Sequence, residues 1–264
     1  MAILQKDFFK LANVTQHSQF QKFLEDIVLD KEKREEFYRG CIHIDPQCVE
    51  HDTFRQYFEE FAAERKSNQQ DFTPESITQL MATLTDVPVS QSYGWTAYDC
   101  AAGTGAMILS KWKKERNKHL PWDYRPHNYL YLCEELSDIT IPYLIHNLAL
   151  RGMNAVVIHG DTLEQTANQA YFIQNANDNP LGFSSVNVLP HSKAVQEFLS
   201  IKEWTADPID HIEDELSDVV WRPLPNEQLI PFELSAKEIE KLKKDKDLAI
   251  DWDKVELEEV ENEP

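Results

Sequence analysis

The 264-residue sequence lacks the features that mark secreted, membrane and disulfide-rich proteins. No apolar run approaches the roughly 18 residues that a membrane-spanning helix requires. The first ten residues, MAILQKDFFK, lack the basic start, long apolar core and small-residue cleavage site of a signal peptide. The four cysteines form no CxxC pair, which indicates a reducing compartment rather than a disulfide framework. We therefore expect a cytoplasmic globular protein without membrane association.

Positive charge is also scarce. The chain has 26 Lys and Arg residues against 46 Asp and Glu residues, and its formal net charge is -20. Residues 201–264 carry -12 of this charge, and the remaining residues are still acidic at -8. A free-standing nucleic-acid-binding protein presents a basic face. If this protein acts on DNA, its own negative charge does not attract the phosphate backbone, and a partner subunit is expected to supply the basic surface.

The hydrophobic pattern divides the chain into three predicted regions, 1–70, 71–233 and 234–264. The first is a helical segment in which one apolar helical stripe packs into the core: Phe54, Tyr57, Phe58 and Phe61. The last is an acidic region made of a surface helix and a tail, with the negative charge concentrated in the tail.

The middle region alternates strands with helices after a first helix opened by Thr73 and Pro74. Three apolar segments are predicted to be strands: WTAYDCA, NYLYLCEEL and NAVVIHGD. A helix follows each of the first two, and the second helix ends at Gly152. This alternation predicts an α/β fold with a doubly wound, mostly parallel sheet. Two later segments are further strand candidates: FSSVNVLP and DVVWRPL.

The turn after the first predicted strand, Asp99–Gly105, has the composition of a ligand-binding loop. Gly103 and Gly105 permit positive φ and close backbone approach, and the helix behind them offers free N–H groups. A dinucleotide fingerprint would need glycine at 108, where this sequence has Ile. Asp99 would repel a pyrophosphate but suits an ammonium group, which favours S-adenosylmethionine over NAD. A plain tight turn is the alternative explanation.

The second and third predicted strands also end in carboxylates, Glu134–Glu135 and Asp161. A carboxylate at the end of the second strand hydrogen-bonds a ribose diol in sheets of this kind. Asp161 is placed to accept a hydrogen bond from an adenine amino group. Ligands bind at the edge where parallel strands end, so the three acids together predict a nucleoside site.

Four segments resemble the amino-methylating, adenine-specific DNA methyltransferases, especially the modification subunit of type I restriction-modification systems. They are DFTPESITQLM, YDCAAGTGAMI, the Glu135–Asn147 stretch and HGDTL. The resemblance covers about residues 50–165 in the family's order and spacing. It implies a Rossmann-like, class I methyltransferase fold, S-adenosylmethionine as cofactor and DNA as substrate.

The resemblance also implies roles for individual residues. Glu135 rather than Glu134 matches the ribose-binding acid, because it keeps the family's 12-residue distance to Asn147. The Phe-Thr-Pro segment matches the motif that closes over the methionine part of the cofactor. The cofactor-binding residues implied by the resemblance are Phe72, Thr73, Pro74, Asp99, Ala101, Gly103, Gly105, Glu135, Asp161 and Thr162.

The family's catalytic tetrapeptide, N-P-P-Y or N-P-P-F, is missing from this sequence. In the family, its Asn and Pro accept the hydrogens of the target amine, and its aromatic ring stacks on the flipped base. One counterpart is the group Asn179, Pro180 and Phe183, which has matching residue types but also the composition of a loop turn. The other is the segment 188–192, which follows a better strand but leaves His191 to replace the amine acceptor.

Four potential zinc ligands lie within eleven residues: Cys41, His43, Cys48 and His51. Structural zinc sites more often use two close pairs separated by a longer loop. Buried cysteines with surface histidines are therefore the favoured interpretation, and no metal is predicted.

Three functions are compatible with these observations. The first is methyl transfer to the exocyclic amine of adenine in DNA, with a specificity subunit or another partner selecting the target, since only ~70 residues follow the catalytic region. The second is a catalytically impaired cofactor-binding protein that regulates restriction, or acts as its decoy, through its acidic surface. The third changes the acceptor to RNA or a protein amide. A homo-oligomer is compatible with each.

Overall fold

The structure is a computed structural model that describes residues 3–62, 95–120, 123–215, 219–222 and 230–233. Its N-terminal region is helical, as predicted. Three helices are followed by a 3-10 turn at Cys48–Glu50 and by a short helix that continues as a π-helical turn over Phe58–Ala62. The helices are α1 (Gln5–Ala12), α2 (His17–Ile27), α3 (Lys31–Ile44) and α4 (Arg55–Tyr57).

The predicted aromatic stripe packs into the core at three of its four positions. Phe54, Tyr57 and Phe58 are buried. Phe61 is 37% exposed and stacks on His17 with ring centroids 4.4 Å apart. Phe61 lies past the end of α4, in the π-helical turn, where the changed number of residues per turn shifts it off the buried face.

The predicted strand–helix alternation is confirmed over residues 97–161. Its elements are β1 (Ala97–Asp99), α5 (Ala106–Arg116), β2 (Tyr131–Glu135), α6 (Ile141–Leu150) and β3 (Ala155–Asp161). β1 pairs with β2 and β2 with β3, both in parallel. The three strands therefore end at one edge of the sheet, termed here the carboxyl edge, and begin at the opposite amino edge.

An antiparallel strand that the sequence analysis missed, β4 (Thr166–Gln174), lies next to β3. The apolar run Ala170–Ile173 within it was its signal, weakened by the polar residues before it. FSSVNVLP forms β5 (Ser185–Val188), as predicted, and β5 pairs with β4 in antiparallel fashion. The chain continues through α7 (Lys193–Leu199) to β6 (Glu203–Trp204), which pairs with β4.

The strand order of the main sheet is β1-β2-β3-β4-β5. The sheet is mixed, with β1, β2, β3 and β5 running in one direction. Helices α5 and α6 pack on one face and α7 on the other. Among the described strands, β1 pairs with β2 alone. A doubly wound sheet would have further strands on the other side of β1, and these stay a prediction.

DVVWRPL contains a strand, as predicted, but this strand belongs to a separate hairpin. The hairpin is β7 (Val219–Arg222) with β8 (Ile230–Glu233). The helices predicted from Thr73 and within 234–264 lie outside the described residues. Within the described ranges, no helix has the length and apolarity needed to cross a membrane.

Helix α6 is buried along its whole length between the sheet and the N-terminal helices. His146 at its centre uses both ring nitrogens: Nε2 donates to the carbonyl of Leu24 at 2.9 Å, and Nδ1 accepts from the Tyr38 hydroxyl at 2.8 Å. Burial lowers the pKa of His146 to about 3, so this histidine is neutral. The N-terminal helices and the sheet thus share one core.

Candidate cofactor site

The loop between β1 and α5 has the backbone that its glycines predicted. Gly103 and Gly105 adopt φ of 57° and 96°, in the left-handed region. A Cβ on Gly105 would lie 2.9 Å from Leu144 Cδ1, so α6 approaches closely there. A Cβ on Gly103 would meet nothing within 4 Å. The loop is therefore packed on its α6 side and open at Gly103, as a backbone cradle for a ligand requires.

The two glutamates at the end of β2 point to opposite faces of the sheet, because side chains alternate along a strand. Glu135 Oε2 accepts a hydrogen bond from Gly103 N at 2.8 Å, and Oε1 accepts from Ser137 N at 2.9 Å. Glu134 instead accepts from the Tyr98 hydroxyl at 2.5 Å. The structure thus places Glu135, and not Glu134, against the glycine loop.

Asp99 lies on the same face as Glu135, since it is paired in register with Cys133 on β2. Its Oδ1 accepts from Ala101 N at 3.2 Å, which closes the first turn of the loop. Burial raises the pKa of the Asp99 carboxyl above its ordinary value, since burial disfavours a charged group. A cationic ligand group beside Asp99 would compensate this cost and bring the pKa down again.

Asp161 and Thr162 extend the site to the end of β3. Thr162 Oγ1 donates to the carbonyl of Cys100 at 2.8 Å, and Ala102 N donates to the carbonyl of Glu134 at 2.9 Å. Asp161 Oδ1 accepts from Leu163 N at 2.9 Å, which fixes the turn after β3. These contacts bring the ends of β1, β2 and β3 together at the carboxyl edge.

The sequence analysis missed two apolar side chains at this edge. Leu136 follows Glu135 directly and is 64% exposed; Leu163 lies two residues after Asp161 and is 91% exposed. Large apolar side chains beside polar anchoring groups are typical of ligand sites, where they contact planar rings. The sequence signal for these residues was a leucine within two positions after Glu135 and after Asp161.

His159 is a further residue at this edge that the sequence analysis missed. It pairs in register with Glu135, so the two side chains share a face of the sheet. Its Nε2 lies 2.8 Å from Asp138 Oδ1. Burial lowers the pKa of His159, against the opposing effect of Asp138.

The model of one protein family, N-6 DNA methylase, matches residues 50–192 of this chain. The chain belongs to the N-6 DNA methylase family. The match contains the glycine loop, the three strand-end acids and β5, and it leaves out helices α1 to α3. Membership implies a DNA methyltransferase and confirms the resemblance to the amino-methylating DNA methyltransferases. A search of curated proteins found no match.

The first candidate for this family's amine-binding motif lies away from the glycine loop. Asn179, Pro180 and Phe183 follow β4, which is antiparallel to β3 and ends where β3 begins, with Ile173 opposite Ala155. The three residues therefore lie at the amino edge. The structure does not bring them together with Asp99, Glu135 and Asp161 at the carboxyl edge.

Local contacts explain why this loop adopts its conformation. Asn179 Oδ1 accepts from Leu181 N at 3.0 Å, and Asn179 N donates to Asn175 Oδ1 at 2.9 Å. The Phe183 ring packs on Tyr38 with centroids 5.3 Å apart. The Asn179 side-chain oxygen thus caps a turn, and the aromatic ring contributes to the N-terminal core.

The second candidate, the segment 188–192, lies at the carboxyl end of β5. Leu189 N donates to the Ala170 carbonyl at 2.8 Å, which extends the pairing with β4. His191 stacks on Trp204, with centroids 4.0 Å apart and planes at 4°, and its Nε2 lies 3.1 Å from Gln169 Oε1. This segment shares the carboxyl edge, but four strand spacings, about 19 Å, separate β5 from β1.

Two remaining sequence predictions concern Phe72–Pro74 and the cysteines. Phe72, Thr73 and Pro74 lie outside the described residues. Cys41 and Cys48 are buried, and burial raises the pKa of Cys48 to about 11. In the described part of the chain, no group of three or more His, Cys, Asp or Glu side chains is arranged to hold a metal ion.

Proposed function

We propose that the carboxyl edge binds S-adenosylmethionine and that the protein methylates the exocyclic amine of adenine in DNA, as a relative of the type I modification subunit. The observation that carries the proposal is the convergence of Asp99, Glu135 and Asp161, with the glycine loop, at one edge of the sheet. The open side of Gly103 and the raised pKa of Asp99 support a ligand with a positively charged amino group.

Each residue of the site has a distinct role in this proposal. Asp99 binds the ammonium group, Glu135 the ribose hydroxyls, and Asp161 the adenine amino group. Ala101, Gly103, Gly105 and Thr162 shape the loop that these ligand groups contact. The bound cofactor supplies a methyl group on a sulfonium centre. Leu136 and Leu163 flank the adenine ring and shield it from water.

Charge at the carboxyl edge indicates how DNA is reached. Six carboxylates lie at or next to the ends of β1, β2 and β3: Asp99, Glu134, Glu135, Asp138, Asp161 and Glu164. Within the screening length of the salt, these negative charges repel the phosphate backbone of DNA. We therefore propose that a partner protein with a basic surface, such as a specificity subunit, holds the DNA against this edge.

Two measurements test this function. Calorimetric titration with S-adenosylmethionine is expected to show one site per chain, and absence of binding would remove the proposal. Transfer of a tritiated methyl group to unmethylated duplex DNA tests the reaction. Because Asn179 caps a turn at the amino edge, we expect Asn179→Ala to retain the wild-type rate. Loss of transfer in that variant would return the catalytic role to Asn179, Pro180 and Phe183.

The second candidate function is a catalytically impaired cofactor-binding protein that engages the restriction machinery through its acidic surface. The amino-edge position of Asn179 favours it, as does the distance between β5 and the glycine loop. Tight cofactor binding with no label on DNA, with and without a basic partner, would support this function over methyl transfer.

A further inference from the structure

A buried polar network surrounds the middle residue of the glycine loop, Thr104, which is 2% exposed. Its hydroxyl donates to Asp52 Oδ2. The other oxygen of Asp52 accepts from Asn147 Nδ2 at 2.7 Å, and the same amide group donates to the Thr104 carbonyl at 2.8 Å. Side chain and backbone of Thr104 are therefore both fixed by residues from outside the loop.

The segment that carries Asp52 is itself anchored by Arg151, whose guanidinium is buried. Arg151 donates to the carbonyls of Cys48 at 3.0 Å and Val49 at 2.9 Å, and also to that of His51. It further donates to the Asn147 carbonyl at 2.6 Å. Burial lowers the pKa of Arg151 to about 10, partly offset by Asp52, so the guanidinium stays charged. The backbone next to Asp52 is thus held by the Arg151 guanidinium, and Asp52 contacts Thr104 from this anchored segment.

The place of this network is informative, because a buried polar cluster is seldom the most stable way to fill a core. Gly103 and Gly105 flank Thr104, and glycine has the largest backbone freedom of any residue. A loop built from two glycines needs an external restraint if it is to be ordered before its ligand arrives. Glu135 restrains the loop at Gly103 N, and Asp52 with Asn147 restrain it at Thr104.

We infer that Asp52 and Asn147 are positioning residues of the cofactor site, which hold the glycine loop through Thr104 in its ligand-binding conformation. The inference rests on the proposed cofactor, since preorganisation matters only if the loop receives a ligand. Neither residue contacts the open side of the loop at Gly103. Their effect on the ligand is transmitted through Thr104.

The test compares Thr104→Val with Thr96→Val. Both side chains are buried threonines with a hydrogen-bonded hydroxyl, and both belong to the same strand–loop unit. Thr96 lies at the amino edge, where its Oγ1 accepts from Leu130 N at 2.9 Å. Valine keeps the shape and removes the hydroxyl in each case. Hydrogen exchange of the peptide 100–109 and calorimetric affinity for S-adenosylmethionine are measured on the full chain.

For Thr104→Val we expect exchange in 100–109 to be at least ~10-fold faster and affinity ~10-fold weaker. For Thr96→Val we expect both to match the wild type, although its melting temperature falls. Thr104→Ser restores the hydroxyl and is expected to recover both properties. Asp52→Asn, which loses the charge, is expected to follow Thr104→Val.

The outcomes separate this inference from the proposed function. A wild type that binds S-adenosylmethionine while Thr104→Val exchanges and binds normally would overturn the inference and leave the function standing. Equal losses in Thr96→Val and Thr104→Val would also overturn it, because they would show a general effect on stability. A wild type that fails to bind would refute the cofactor site, and the positioning role with it.

Discussion

The carboxyl edge of the sheet and the loop after β4 contain the residues that the sequence analysis matched to the two halves of the family's chemistry, cofactor binding and amine binding. At the carboxyl edge, residues from three strands converge, and their carboxylates and backbone amides contact one another. In the loop after β4, the Asn179 side chain caps a turn, and the Phe183 ring packs on Tyr38 in the core. Polar groups of both regions accept local hydrogen bonds, but those of the first converge from three strands around a loop that is open at Gly103, whereas Asn179 lies apart from that loop at the amino edge.

The two regions differ in how far a sequence motif fixes the position of its side chains in the fold. A carboxylate at the end of a parallel strand is placed by the strand itself, so three such motifs in order predict a site. Asn179-Pro180 is also a common turn, and its position depends on the direction of the strand before it. Because β4 is antiparallel, the chain reaches Asn179 at the amino edge.

The largest expected effect distinguishes the two adjacent glutamates of the carboxyl edge. Glu135→Ala removes a charged acceptor that faces the glycine loop, and we expect cofactor affinity to fall about 100-fold. Glu134→Ala, on the opposite face, should change affinity little. Calorimetry on both variants measures this, with thermal melts to confirm folding. A greater loss in Glu134→Ala would reverse the assignment of the ribose-binding acid.

A smaller effect compares exposed leucines from the two regions. Leu163 at the carboxyl edge is 91% exposed and Leu181 in the loop after β4 is 88% exposed. Leu163→Ala should weaken cofactor binding about 5- to 10-fold, because apolar area covered by the ligand is lost. Leu181→Ala should have no effect, and neither change should shift the melting temperature. Equal affinity in the two variants would remove Leu163 from the site.

The smallest expected effect is on stability, at Asp99. Its raised pKa means that the folded state binds this proton more tightly than the unfolded state, so stability falls as pH rises through the raised value. Asp99→Asn carries no charge and should be more stable at pH 7, by roughly 0.5 kcal/mol, while binding the cofactor more weakly.

Denaturant unfolding at several pH values measures this. The stability difference between Asp99→Asn and the wild type should vanish below about pH 3, where Asp99 is protonated in both states. A variant less stable than the wild type at pH 7 would show that the Asp99 carboxylate stabilises the fold rather than serving the ligand.

Much of the fold could be predicted from the sequence, because it depends on short-range patterns. The strands that end at Asp99, Glu135 and Asp161 were predicted from apolar runs, and the positive φ of Gly103 and Gly105 from the glycines. Strand β4 was not predicted, because polar side chains interrupt its apolar run before Ala170. Its absence from the prediction also concealed the position of Asn179.

By itself the sequence determined which chemical groups lie at the ends of the parallel strands, since a short apolar run and the turn residues after it determine where a strand ends. The spacing to Asn147 had already favoured Glu135 over Glu134, but only the tertiary structure shows that the Glu135 carboxylate accepts from Gly103 N, because that contact depends on which face of β2 packs on α6. The tertiary structure also brought Asp52 to Asn147, 95 residues away, and placed Asn179 at the amino edge, opposite the edge where Glu135 lies. Strand direction and long-range packing set these distances, and neither leaves a periodic signal in the sequence.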